Sequence, residues 1–219
     1  MIETSTGWCS AALLKDGAIA AQRIVKTPKQ HASVTAPFVK EVLEEAGITA
    51  AECDAVAVSE GPGSYTGLRV GVSTAKGLCF GSGKPLIAVG TLDILAQQGL
   101  GKADFIVPMV DARRMEVYCA VYGADGRRIN EIEAKVLDGS SFSDLLAKGK
   151  VLFIGDGAEK FSKVCTSPNA VFEQTCPLAT AMAAPALEAF NKGRFEDTAY
   201  FEPFYLKEFV AGISTRSVL

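Results

Sequence analysis

The chain has 219 residues, is 48% hydrophobic and carries 22 Lys and Arg against 25 Asp and Glu, a formal charge of −3. A chain of this length buries roughly 70% of its unfolded surface without a staple of disulfides or metal, and without surplus positive charge it is not itself the main clamp on a nucleic acid. Its six cysteines are scattered with no C-x-x-C pair, which suits free thiols in a reducing compartment, and neither a signal peptide nor a membrane-length apolar run is visible, so a cytoplasmic protein is expected.

The start, "MIETSTG", enters almost directly into a strand and turn. Met1-Ile2 are either all there is of a first strand or the end of a longer one. "WCSAALLKDGAIAAQRIV" reads as two strands joined at Asp16-Gly17, a strong hairpin signal. "KQHASVTAPFVKEVLEEAGI" reads as a helix closed by Gly47, with Val34, Phe38, Val42 and Leu43 on one face. Pro37 inside it predicts a separate first turn or a kink. Ala55–Glu60 is a short buried strand, followed by a glycine turn, a helix over Thr66–Phe80 and the strand "PLIAVG". "TLDILAQQG" is a short helix that Thr91 can cap.

From Asp104 onward, "DFIVPMVDARRMEVYCAVYGADGRRINEIEAKVL" predicts strand, turn, strand, an Asp125-Gly126 turn and strand. A short helix (Ser141–Ala147), the strand "VLFIG", the turn "GDGAEKF", a strand at Ala170–Phe172 and the helix "LATAMAAPALEAFNKG" follow. The aromatic tail "AYFEPFYLKEF" is expected to dock on the body. Antiparallel strands followed by helix–strand alternation, twice over, predict a duplicated α/β architecture with subdomains at residues 1–103 and 104–219.

The most concentrated signal is "SEGPGSYTGLRVGVSTAKGLCFG", Ser59 to Gly81. Gly61 and Gly63 permit a positive φ and close backbone approach, and Ser64 or Thr66 can cap the helix, whose first N–H groups then face an anion. The spacing is neither G-x-x-x-x-G-K-[ST] nor G-x-G-x-x-G, and no lysine follows the turn. A second reading is steric. Gly67, Gly71, Ala75 and Cys79 recur every fourth residue, a flat stripe against which another helix packs, from this chain's core or from a second protein. The two readings can coexist.

Thr4, Ser5 and Thr6 beside Glu3 form a hydroxyl-rich turn that can touch phosphate or satisfy its own backbone. A kinase-type site would want Asp where Glu3 stands. His31 is the only histidine, so no metal site with a His pair and no catalytic residue is assigned, and a Ser-His-Asp arrangement would lack a G-x-S-x-G elbow. His31 fits a helix start or an interface. Asp111 and Arg113 in "VDARRMEVY" predict an ion pair. Arg113-Arg114 and Arg127-Arg128 read as solvated surface or local ion pairs, with a direct nucleic-acid contact as the alternative, and "GDG" at Gly155–Gly157 is a weak echo of a phosphate turn.

Taken in order, "IETSTGWCSAALL", the segment Gln30–Gly47 with its His-x-Ser start, the glycine segment, "VDARRMEVY" and the late "PFYLKEF" resemble the TsaB (YeaZ) family over nearly the whole chain. The resemblance implies an actin-like, sugar-kinase-type (ribonuclease H-like) fold, two subdomains each with a mixed sheet flanked by helices. It implies a role in making threonylcarbamoyladenosine beside the anticodon of tRNAs reading codons that start with A, as a non-catalytic partner of a TsaD-like catalytic subunit. The resemblance further implies that a TsaE-like ATPase joins at the junction and that tRNA is met indirectly through the complex. The family places the partner, or a second copy in a homodimer, on the first two helices. In this chain that points to His31, Val34, Phe38, Val42, Gly67, Gly71, Ala75 and Cys79. No cofactor is required on these terms, and ATP or ADP could bind weakly, alone or at the junction, with Thr4, Ser5, Thr6, Gly61, Gly63, Ser64 and Thr66 as phosphate contacts. The alternative functions are a small ATP-dependent kinase of the actin-like superfamily and a peptidase.

Overall fold

The computed structural model describes residues 1–207. Strand β1 (Ile2–Glu3) leads into the hairpin β2 (Cys9–Lys15) and β3 (Ala18–Val25). Its two-residue turn has Asp16 at φ 52° and Gly17 at φ 78°, the left-handed pair that matches strand twist. Helix α1 (His31–Glu45) runs through Pro37 without interruption. Gly47 closes it at φ 67°, as its position after the last apolar residue predicts. After β4 (Val56–Gly61) comes α2 (Tyr65–Ser82), then β5 (Leu86–Gly90) and α3 (Thr91–Gln98). The cap of α3 is Gly90 rather than Thr91, whose hydroxyl is buried with no partner among the described residues.

The second half has β6 (Phe105–Asp111), β7 (Glu116–Cys119), β8 (Tyr122–Gly123), β9 (Glu133–Val136), α4 (Ser143–Leu146), β10 (Val151–Ile154), α5 (Ala158–Ser162) and β11 (Ala170–Glu173). A 3-10 turn over Ala179–Met182 opens α6 (Ala183–Asn191). The sequence reads "MEVYCAVY" as one strand, but it breaks into β7 and β8. The break falls opposite Val107–Pro108 of β6, since Cys119 pairs with Met109 and Tyr122 with Ile106. Proline has no N–H to give a ladder.

Two sheets result, in the orders β3-β2-β1-β4-β5 and β11-β10-β6-β7-β9, with β8 beside β6. In both, the half's first strand is central, flanked by an antiparallel meander on one side and parallel strands on the other. This is the duplicated α/β architecture, with a mixed sheet in each half, that the order of elements predicts.

Side chains of β6 and β10 alternate between two cores, as strands buried on both faces require. Val107, Met109, Val151 and Phe153 meet α4 and α5, where Phe142, Phe153, Phe161 and Phe172 pack ring on ring. Ile106, Val110, Leu152 and Ile154 meet Leu92 and Leu95 of α3. The first sheet rests on α2 through Ile2, Val58, Val72 and Ala75. Its other face rests on α6 through Ala57, Ile87, Met182 and Ala186. Thus α3, from the first half, seals the second sheet, and α6, from the second half, seals the first.

The tail does dock over its described part. Lys76 Nζ donates to the carbonyls of Ala199 and Phe201 at 3.0 Å each, and Phe201 joins the core under α2. Phe204 N–H donates to Glu60 O at 2.7 Å. Tyr205 lies against Tyr65 with ring centroids 4.8 Å apart. Glu208 and Phe209, the end of the "PFYLKEF" signal, lie outside the described residues.

Candidate functional site

The glycine turn, the start of α2 and the Glu3–Trp8 loop form one unit. Glu3, Thr4, Ser5 and Thr6 are all buried. Ser64 N–H donates to Ser5 O at 2.6 Å, and Ser64 Oγ caps the helix by accepting from Gly67 N–H at 3.2 Å. A Cβ at Gly63 would strike the Ser5 carbonyl, one at Gly67 the Thr4 carbonyl, and one at Gly71 the Thr4 side chain. The glycines therefore let α2 sit down on the chain's own loop. On the outer side, Gly61, at φ 120°, faces the carbonyl of Phe204.

The structure thus brings the phosphate candidates Thr4, Ser5, Thr6, Gly61, Gly63 and Ser64 together, with Thr4, Ser5, Thr6 and Gly61 buried and Ser64 and Thr66 exposed. What faces the glycines is carbonyl oxygen, which attracts no phosphate. The Glu3 carboxylate adds to this. Its Oε1 accepts from Ser5 N–H and Ser5 Oγ–H at 2.6 Å each, and Oε2 has no partner among the described residues. Burial pushes its pKa up to about 7, against the hydrogen bonds from Ser5.

His31, at the first position of α1, holds the same loop. Its Nε2 lies 2.9 Å from Thr6 O and 3.1 Å from Trp8 O. Both neighbours are carbonyls, so Nε2 carries the proton and donates to them. The imidazole is a brace between α1 and the loop.

The small-residue stripe needs a correction. Gly67, Gly71, Ala75 and Cys79 are buried against this chain's own loop and core, as is Val42 of α1. They do not line an open face. Val34, Phe38 and His31 are half-buried. The opposite side of α2 carries Thr66, Arg69, Ser73, Gly77, Phe80 and Gly81, all exposed. At Gly77 and Gly81 an added Cβ would meet nothing. Phe80 is 91% exposed. Alongside, the tail held by Lys76 sets out Tyr200, 84% exposed. On α1, Ala32, Ser33, Ala36 and Pro37 are exposed and small. Sequence reasoning missed Ser73, Gly77 and Phe80. The available signal was Phe80 itself, an aromatic among Thr66, Arg69 and Ser73 on the arc away from Leu68 and Val72.

The loop over residues 111–116 also departs from expectation. Asp111 pairs with Lys160, at 3.0 Å, not with the Arg113 guanidinium. The Arg113 backbone N–H takes the same carboxylate oxygen, at 2.6 Å. Asp156 Oδ1 accepts from Asp111 N–H at 2.8 Å, and burial raises its carboxyl to about 6. Gly157 packs on the Met109 carbonyl, so "GDG" serves close approach here. Arg127 has the local ion pair expected of it, 3.6 Å to Asp125. The cysteines are all unpaired. Among the described residues no helix is long and apolar enough to cross a membrane.

The chain is similar to known proteins. The sequence model of the family described as TsaD, tRNA N6-adenosine threonylcarbamoyltransferase, matches residues 25–191. The Escherichia coli (strain K12) tRNA threonylcarbamoyladenosine biosynthesis protein TsaB is 32% identical over 96% of this chain and 94% of its own length. The Bacillus subtilis (strain 168) protein of that name is 36% identical over 55% of this chain and 53% of its own. The crystal structure of YeaZ from Pseudomonas aeruginosa superposes with a TM-score of 0.83, at 28% identity, over 94% of this chain and 97% of that one.

Proposed function

The chain belongs to the TsaB (YeaZ) family and to tRNA threonylcarbamoyladenosine biosynthesis, and we propose that within that pathway it is a non-catalytic subunit that docks a TsaD-like catalytic subunit. The observation that carries this is the outer face of α2. Phe80 stands 91% exposed over open glycine positions, a geometry that lets a partner helix approach closely and bury the ring. Burying one such side chain is worth about 1.5–3 kcal/mol, and aromatic anchors of this kind dominate interfaces. The exposed small face of α1 and Tyr200 extend the surface, and in isolation a second copy can occupy it.

The groups with the chemistry for catalysis are committed internally. His31 braces a loop, Glu3 is sealed from solvent, and the glycine turn is filled by the chain's own carbonyls. This supports an accessory role over a kinase or a peptidase. In the same proposal, a TsaE-like ATPase joins at the junction with the partner, tRNA reaches the site through the complex, no cofactor need be held by this chain, and the compartment is the cytoplasm. The test is co-elution of the purified chain with the TsaD-like protein of its own organism on size exclusion. A stable complex, lost in Gly77→Arg with the monomer still folded, is the expected result. An unchanged complex in that variant removes the α2 face from the interface.

A further inference from the structure

The hairpin tip between β6 and β7 is unlike the others in the molecule. The β2–β3 turn meets its left-handed positions with Asp16 and Gly17, residues that tolerate them. The β6–β7 tip places two consecutive arginines there, Arg113 at φ 71° and Arg114 at φ 49°. That backbone is disfavoured for any residue with a Cβ. Such conformations persist only where the surrounding structure holds them, and they cluster at functional sites.

Both guanidiniums are exposed. Among the described arginines, Arg23 pairs with Glu41 and Glu45, Arg69 lies on Tyr65, Arg127 meets Asp125, Arg194 meets Glu188 and Arg128 bonds Tyr122. Arg113 and Arg114 have no carboxylate, hydroxyl or ring partner among the described residues of the chain. The nearest acids in sequence, Asp111 and Glu116, do not neutralise them. The Asp111 carboxylate is spent on the Arg113 backbone N–H and on Lys160, and Glu116 pairs with Lys207. Asp111 therefore locks the tip and leaves its two charges unpaired among the described residues.

We infer that the Arg113–Arg114 tip is a contact for the phosphodiester backbone of the tRNA substrate, made by this chain while it is part of the complex proposed above, on which the inference rests. Two adjacent planar forks suit phosphate oxygens. In a chain of formal charge −3, an isolated pair of this kind adds a grip to binding that the rest of the complex provides, and does not bind RNA tightly alone.

The experiment is equilibrium binding of unmodified tRNA to the full-length chain assembled with its TsaD-like partner, over a series of salt concentrations. Two double variants are compared with wild type. Arg113→Gly with Arg114→Gly keeps the left-handed turn and removes the charges. Arg113→Lys with Arg114→Lys keeps the charges. The glycine variant is expected to assemble normally, to melt no lower than wild type, to bind tRNA about tenfold more weakly, and to lose up to about 2 from the slope of log affinity against log salt. The lysine variant is expected to recover most of that slope. Unchanged affinity and slope in the glycine variant overturn the inference, as does loss of assembly in place of tRNA binding, which would make the tip a protein contact. If the wild-type chain and its partner do not assemble at all, the proposed function has failed, and the inference that rests on it is overturned with it.

Discussion

At Gly67 any side chain would meet the backbone carbonyl of Thr4, and at Gly71 it would meet the Thr4 side chain. The two glycines are therefore not equivalent. A backbone carbonyl cannot step aside, whereas a threonine can turn. Gly67→Ala is expected to destabilise the protein by about 1–3 kcal/mol, the usual range for overpacking, despite alanine's better helix propensity. Gly71→Ala is expected to lose less. Thermal melts of the two variants check this, and a raised midpoint for Gly67→Ala would mean that α2 does not sit on the loop. Glu3 makes a second test. Its carboxyl, raised by burial to about 7 from an ordinary 4.5, holds its proton more tightly folded than unfolded. Between those two values the folded state binds the extra proton, so stability is highest at the acid end and falls as pH rises to about 7, then levels. Glu60, also raised to about 7, and Asp156 act in the same direction. Glu3→Gln should flatten the fall, by an amount on the order of 3 kcal/mol, in denaturant titrations at pH 5 and pH 8. An equal fall in wild type and variant would contradict the sealed carboxylate.

Helix α2 has two small-residue series, and only one was legible. The series 67, 71, 75, 79 is conspicuous in sequence because it repeats without interruption, yet steric smallness is the same signal whether the neighbour is the chain itself or a partner. Burial decides it: Leu68 and Val72 lie beside that series and carry it into the core. Ser73, Gly77 and Gly81 form the outer series, overlooked because Phe80 and Lys76 interrupt it. Gly77→Arg exploits the difference. Replacing an exposed helical glycine gains up to about 1 kcal/mol in propensity, which raises the midpoint by roughly 2–4 °C in a chain of this size. Binding of the partner should be lost at the same time. Stability and binding moving in opposite directions is the signature of an interface position, and a fall in both would place Gly77 in the fold. Elsewhere, elements with local punctuation were read closely. Asp16-Gly17, Gly47 and Ser64 each mark a boundary by their own backbone needs. Thr91 and the break between β7 and β8 were not readable, because the first depends on how Gly90 enters the helix and the second on Pro108, in a strand paired across the sheet.

On the scale of the whole molecule, the duplication was visible as a repeated order of elements, and the two sheets share one strand order. The exchange of α3 and α6 between halves was not visible, since an amphipathic stretch names no partner. Its consequence is that each sheet is completed by a helix from the other half of the chain, with the tail from Lys76 to Glu116 as a further tie. A body closed on itself in this way, with its polar turn sealed and its aromatic ring left outside, suits a subunit that presents a surface. The measurement that tests this most directly is reconstitution of the modification. The chain is combined with the TsaD-like and TsaE-like proteins of its own organism, ATP, a source of the threonylcarbamoyl-adenylate and unmodified tRNA, and the modified nucleoside is assayed with each component left out in turn. No product is expected without this chain, and no ATP hydrolysis or tRNA modification by the chain alone. Equal product in its absence, or turnover by the isolated chain, would contradict the accessory role.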